Sequence, residues 1–130
     1  MRIGELARGA GVTIKTVRYY ESLGLLSVAR EANGYRDYDD AQVGLVREIR
    51  SLGELGIRVD QSRPFLDCLV AGNEHGDDCA ESLAAYRRAI DALDHRIEEL
   101  SAHRDALLHR LAEASGRGEP TCQFSKENDR

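Results

Sequence analysis

Tryptophan is absent from this chain, aromatic residues make up only 5% of it, and proline occurs twice in 130 residues. So few prolines favour helices over a strand-and-turn architecture. Long apolar runs are also missing. Stretches of only a few apolar residues provide neither a signal-peptide core nor a membrane span, so the protein is expected in the cytoplasm with no membrane partner. Cysteine is scarce and odd in number: Cys68, Cys79 and Cys122. In a reducing compartment three thiols argue against a disulfide framework. They are either small core hydrophobes or thiolates awaiting a metal or an oxidant. A catalytic set is lacking too, since His75 and Cys79 at a helix start do not supply nucleophile, base and oxyanion donors; no enzyme is expected.

What is present is divided unevenly. Residues 1–58 hold nine Lys or Arg against eight Asp or Glu, and the remainder holds nine against fifteen. The whole chain carries a formal charge of -5, so any attraction to nucleic acid must be local to the first half. The cations there alternate with tyrosines. Thr13, Lys15, Thr16, Arg18 and Tyr19 share one flank of a short predicted helix, with Ile14 and Val17 pointing inward and Tyr20 divided between core and backbone. Tyr35, Arg36 and Tyr38 follow around Gly34. Such compact elements suit phosphate neutralisation and packing on sugars or base edges.

The local signals place these residues. Ile3 to Arg8 reads as a helix, Ala10-Gly11-Val12 as a tight turn, and Thr13 as the N-cap of a second helix ending near Gly24. Helix, glycine turn, helix is a helix-turn-helix pattern. Asn33-Gly34 suits a primed hairpin turn and makes the following hairpin a wing. Asp39 or Asp40 caps a third helix to about Leu55, and a fourth runs from about Asp60 to Val70 with Pro64 in its first turn. The expected division is a winged-helix domain over 1–71, a linker over 72–78, a dimerisation helix over 79–115, and a tail over 116–130 that is a possible effector loop.

Asp78 and Glu81 form a D-x-x-E capping pattern before the longest element. From there Leu83, Tyr86, Ile90, Leu93, Ile97, Leu100, Leu107 and Leu111 step by threes and fours, with Arg104 interrupting once. A heptad seam of this length has no matching helix in its own chain, so a second copy is expected to cover it. His95, His103 and His109 do not share a face and read as solvated.

The order of these motifs resembles the MerR family of bacterial transcription regulators over about residues 1–115. The resemblance rests on Ile3-Gly4-Glu5-Leu6-Ala7, Thr16-Val17-Arg18-Tyr19-Tyr20-Glu21, Gly24-Leu25-Leu26 and Gly34-Tyr35-Arg36-Asp37-Tyr38. It implies a mainly α protein with a winged helix-turn-helix head and an antiparallel coiled coil joining two protomers. It further implies a sensing site near the coil's ends. The dimer would bind promoter elements spaced too far apart for RNA polymerase and, with effector, twist that DNA into a usable promoter.

The resemblance also bears on the thiols. Metal-responding members carry a cysteine near the start of the dimer helix, which Cys79 matches, and a cysteine pair after it, of which only Cys122 is present. Three cysteines exclude the four-cysteine iron–sulfur cluster some members hold. The short tail argues against the members that sense large organic ligands. In an antiparallel dimer Cys79 of one subunit would lie near Cys122 of the other, with His75 and Cys68 close by. That set suits a thiol-bound soft or borderline ion or a reversible intersubunit disulfide. A constitutive DNA-bending or repressor module that senses nothing stays open beside the effector-responsive regulator.

Overall fold

The computed structural model describes residues 1–26, 29–30 and 36–122, with backbone alone at Ala29, Arg30 and Arg36. The Asn33-Gly34 turn, Tyr35 and tail residues 123–130 lie outside the described residues. Two units divide the chain, Met1–Ile90 and Asp91–Arg130. The first therefore takes in the 72–78 segment and the opening turns of the long helix.

In the first unit α1 (Ile3–Ala10) and α2 (Ile14–Ser22) flank a turn built on Gly11, whose φ of 73° is the left-handed conformation that glycine adopts without strain. β1 (Ala29–Arg30) pairs antiparallel with β2 (Arg36–Asp37), Ala29 opposite Asp37 and Arg30 opposite Arg36. α3 (Asp40–Glu54) starts at Asp39, whose carboxylate accepts from the Gln42 N–H at 3.1 Å. A 3-10 turn (Val59–Gln61) leads into α4 (Arg63–Val70), and Pro64 sits in its first turn, where a missing N–H costs nothing. α5 (Ala80–Gly116) is the last element.

One core joins α1, α2, the segment after α2 and α3, through Leu6, Val17, Leu26, Val46 and Ile49 among others. Each such side chain removed from water contributes about 1.5–3 kcal/mol. A second cluster, Leu52, Ile57, Phe65 and Ala85, ties α3 and α4 to the first turns of α5, with Tyr86 and Ala89 packed against it. Ser82, fully buried, fastens the same junction by donating to the Gly76 carbonyl at 2.5 Å. A side chain at Gly76 would meet the Glu48 carboxylate and press on the Phe65 carbonyl, so a larger residue here must displace them.

Several sequence expectations change. Ile14 is 40% exposed rather than inward, because only Val17 and Tyr20 of α2 reach the core. Asp78 does not cap α5 through its side chain; its carboxylate turns back to accept from the His75 N–H at 2.9 Å, and the Cys79 carbonyl begins the helix ladder. Tyr86, assigned to the coiled-coil seam, packs instead on Phe65, with ring centroids 5.0 Å apart, and donates its hydroxyl to Asp77 at 2.8 Å. Burial, that hydrogen bond and the nearby carboxylates push its pKa up to about 12.

In the second unit Leu93, Ile97, Leu100, Leu107 and Leu111 are all more than half exposed, and Leu108 widens the stripe near its end.

Candidate functional site

α2 is organised by its N-cap. The Thr13 hydroxyl accepts from the Thr16 N–H at 3.1 Å and lies 2.9 Å from the Thr16 hydroxyl, fixing the helix start and presenting both groups together. Val17 and Tyr20 point into the core, so the helical period turns Lys15, Arg18 and Tyr19 to solvent. Tyr19 remains 54% exposed while leaning on Tyr20 at 6.2 Å between centroids. Neither Lys15 nor Arg18 forms an ion pair among the described residues, so both charges are available to an anionic partner.

Two tyrosines expected at this surface belong to the interior. Tyr38 is 1% exposed, its hydroxyl donates to Glu21 at 2.7 Å, and its N–H donates to the Met1 carbonyl at 2.9 Å. Its ring is committed to joining β2, α2 and the start of the chain, which removes it from contact with a partner. Tyr20 is also in the core cluster; burial raises its pKa, with Arg50 acting in the opposite direction. Arg36 enters the site by its strand position, opposite Arg30.

Arg47 is a residue whose role the sequence does not reveal. Its Nε and Nη2 donate to the Gly9 carbonyl at 3.2 and 2.7 Å, satisfying an orphan acceptor at the end of α1 and bracing the helix-turn-helix against α3. A cation on a helix reads the same in sequence whether it meets phosphate or a carbonyl.

The thiols form a second centre. Cys68 and Cys79 are joined as a disulfide across eleven residues, Cα atoms 5.9 Å apart, where separate thiols were expected. The 72–78 segment doubles back between α4 and α5 and brings the two sulfurs together. Asn73, which no sequence signal marked, makes that turn. Its amide donates to the Cys68 carbonyl at 3.0 Å and to Cys79 Sγ at 3.4 Å. The His75 imidazole is not drawn in; the residue reaches the sulfurs through its carbonyl oxygen, 3.4 Å from Cys68 Sγ. No cluster of three His, Cys, Asp or Glu side chains able to hold a metal occurs among the described residues. One chain thus supplies two thiols, enough for a soft ion only with low coordination or with a ligand from elsewhere. Cys122 is free and exposed.

Residues 1–67 match the description "MerR HTH family regulatory protein". The transcriptional regulator HmrR of Rhizobium leguminosarum bv. viciae is 32% identical over 98% of this chain and 96% of its own length. Among solved structures, the transcription regulator PbrR691 from Ralstonia metallidurans CH34, in complex with lead(II), is similar with a TM-score of 0.71 at 30% identity, covering 98% of this chain and 93% of that one. HiNmlR, a MerR family regulator lacking the sensor domain and bound to promoter DNA, aligns with a TM-score of 0.54 at 25% identity over 86% of this chain and 83% of that one.

Proposed function

From the premise that the chain belongs to the MerR HTH family and is a transcription regulator, not an enzyme, we propose a homodimer that binds a palindromic promoter and distorts it. It responds to a soft metal ion or an oxidant at its thiols. The observation that carries the DNA half of this reading is the outward face of α2, with Lys15, Arg18 and Tyr19 exposed beside the paired Thr13 and Thr16 hydroxyls. Its leading turn enters the major groove, where Thr13, Lys15 and Thr16 meet base edges and phosphates. Arg18 takes phosphate or guanine and Tyr19 packs on the backbone. Tyr35 and Arg36 of the wing grip flanking phosphate.

The apolar stripe of α5 supports the dimer. Six seam residues more than half exposed in one chain need a matching surface, and a second copy running antiparallel supplies it with its own stripe. Two heads joined this way favour an inverted repeat, and bending the DNA between them acts through its deformability as much as through base contacts. RNA polymerase is the partner that reads the reshaped promoter.

On the sensing side, the lead(II) complex of PbrR691 and the two thiols at the start of α5 support a soft-ion effector. Cys79 as thiolate, Cys122 of the partner subunit and Cys68 of the first chain would hold such an ion. Thiolates supply the soft donors it prefers. Selection of bound duplexes from a random pool tests the reading: an enriched inverted repeat is expected, and enrichment of single unpaired half-sites would overturn the dimeric palindrome. Heterodimers of Cys79→Ser and Cys122→Ser chains test the shared thiol site. One intersubunit site stays intact, so about half the bound ion should return; a site within one chain would return none.

A further inference from the structure

The disulfide between Cys68 and Cys79 has an approach and a prepared reduced state. We propose that the pair is a reversible thiol–disulfide exchange site, at which Cys79 reacts with a low-molecular-weight thiol or disulfide and Cys68 resolves the product. The asymmetry comes from burial. Cys68 is 2% exposed on the inner face of α4, whereas Cys79 is only partly covered at the start of α5. A cleft of about 450 Å³, lined by Arg63, Pro64, Asp67, Cys68, Cys79 and Glu81, opens onto the sulfurs. Its walls carry both signs of charge, which suits a small thiol bearing both an ammonium and a carboxylate.

The surroundings serve each sulfur in the open form as well as in the bond. The Asn73 amide, 3.4 Å from Cys79 Sγ, donates to that sulfur and favours its thiolate, the attacking species. The His75 carbonyl oxygen, 3.4 Å from Cys68 Sγ, is placed to accept the S–H of a released Cys68 thiol.

The chemistry balances with a small disulfide as oxidant. The Cys79 thiolate attacks one sulfur of the small disulfide, forming a mixed disulfide and expelling one small thiolate, which takes a proton from solvent. Cys68 then loses its proton to solvent and attacks the Cys79 sulfur. The Cys68–Cys79 bond forms and the second small thiolate departs. Two protein thiols are oxidised and one small disulfide is reduced to two thiols; reduction runs the same steps backwards from attack on Cys79. Where glutathione keeps thiols reduced, a disulfide is usually transient or redox-sensing. One consequence rests on the effector reading above: a Cys79 bonded to Cys68 is withheld from a metal ion, so oxidation silences the response.

Full-length Cys122→Ser protein removes the exposed third thiol for the test. Treated with oxidised glutathione, quenched by alkylation and weighed intact, it should lose both alkylatable thiols, and reduced glutathione should restore them. In the same background Cys68→Ala should hold one glutathione on Cys79, while Cys79→Ala should leave the buried Cys68 unmodified, with circular dichroism confirming that both variants are folded. Two thiols that persist through oxidation, a bond that reduced glutathione cannot open, or equal glutathione uptake by the two variants would each overturn the exchange site. Wild-type protein titrated with cadmium(II) separates the two readings. Reduced protein should bind and oxidised protein should not. Binding by the oxidised form overturns the masking, and failure of the reduced form to bind removes the effector reading and its masking while the exchange chemistry stands.

Discussion

The head and the distal part of α5 are both helical, yet they satisfy their apolar residues in opposite ways. In the head, Leu6, Val46 and Ile49 are closed off by neighbours from α1, α2 and α3 within the same chain. Beyond Ile90 the stripe through Leu93, Ile97 and Leu111 is presented outward. The same residue type is therefore a folding determinant in one region and an assembly determinant in the other. Tyr86 marks the changeover: its heptad position places it in the seam, but Phe65 and Asp77 engage it within the head.

Ile97 separates the two regions most directly. An aspartate there in the assembled coil would be a buried unpaired charge, costing about 3–5 kcal/mol in each chain. Ile97→Asp should sediment as monomer with a folded head, whereas Ile49→Ala should stay dimeric while the head loses about 2–5 kcal/mol in denaturant unfolding. A tight Ile97→Asp dimer would remove α5 from the interface.

Two arginines sharpen the contrast between outward and inward roles inside the head. Arg18→Ala should weaken DNA binding, flattening the logarithmic salt dependence by roughly one unit where the lost contact is phosphate and relaxing sequence preference where it is guanine. Arg47→Ala should leave that slope unchanged and instead lower stability by about 0.5–1.5 kcal/mol, because the Gly9 carbonyl loses its donors. If Arg47→Ala alters the slope, Arg47 reaches phosphate and the bracing role is wrong.

The smallest effect concerns the changeover residue. The pKa of Tyr86 is raised in the fold to about 12, so its neutral hydroxyl stabilises the native state fully below its ordinary value of 10.0. That contribution is lost as pH climbs from there through about 12. Unfolding followed between these limits should show an alkaline loss of about 1 kcal/mol that Tyr86→Phe lacks. An identical profile in the variant would mean that Tyr86 ionises in the fold as it does in the unfolded chain.

Periodicity and caps were enough to locate α1, α2 and α3, because Thr13, Asp39 and the left-handed Gly11 and Gly24 act on their immediate neighbours. The exposed half of the candidate interface was legible for the same reason: once Val17 is inward, the helical period carries Lys15, Arg18 and Tyr19 outward. Tyr38 was not legible, since a tyrosine beside a glycine turn looks alike whether its hydroxyl meets phosphate or Glu21.

The helical elements, the cationic face of α2, the unmatched stripe of α5 and the family to which these belong can all be read from the sequence. Local spacing encodes all of these. Folding in three dimensions is what makes Tyr20 and Tyr38 core, sets Arg47 against a carbonyl, keeps Tyr86 with its own head and brings Cys68 to Cys79. Each of those depends on which distant surface a side chain encounters once the chain has closed on itself. The 72–78 segment shows the reason most plainly: its turn is set by Asn73, by the buried Ser82 and by the space Gly76 leaves. None of these acts on the cysteines through sequence spacing, yet together they bring the two sulfurs to one point.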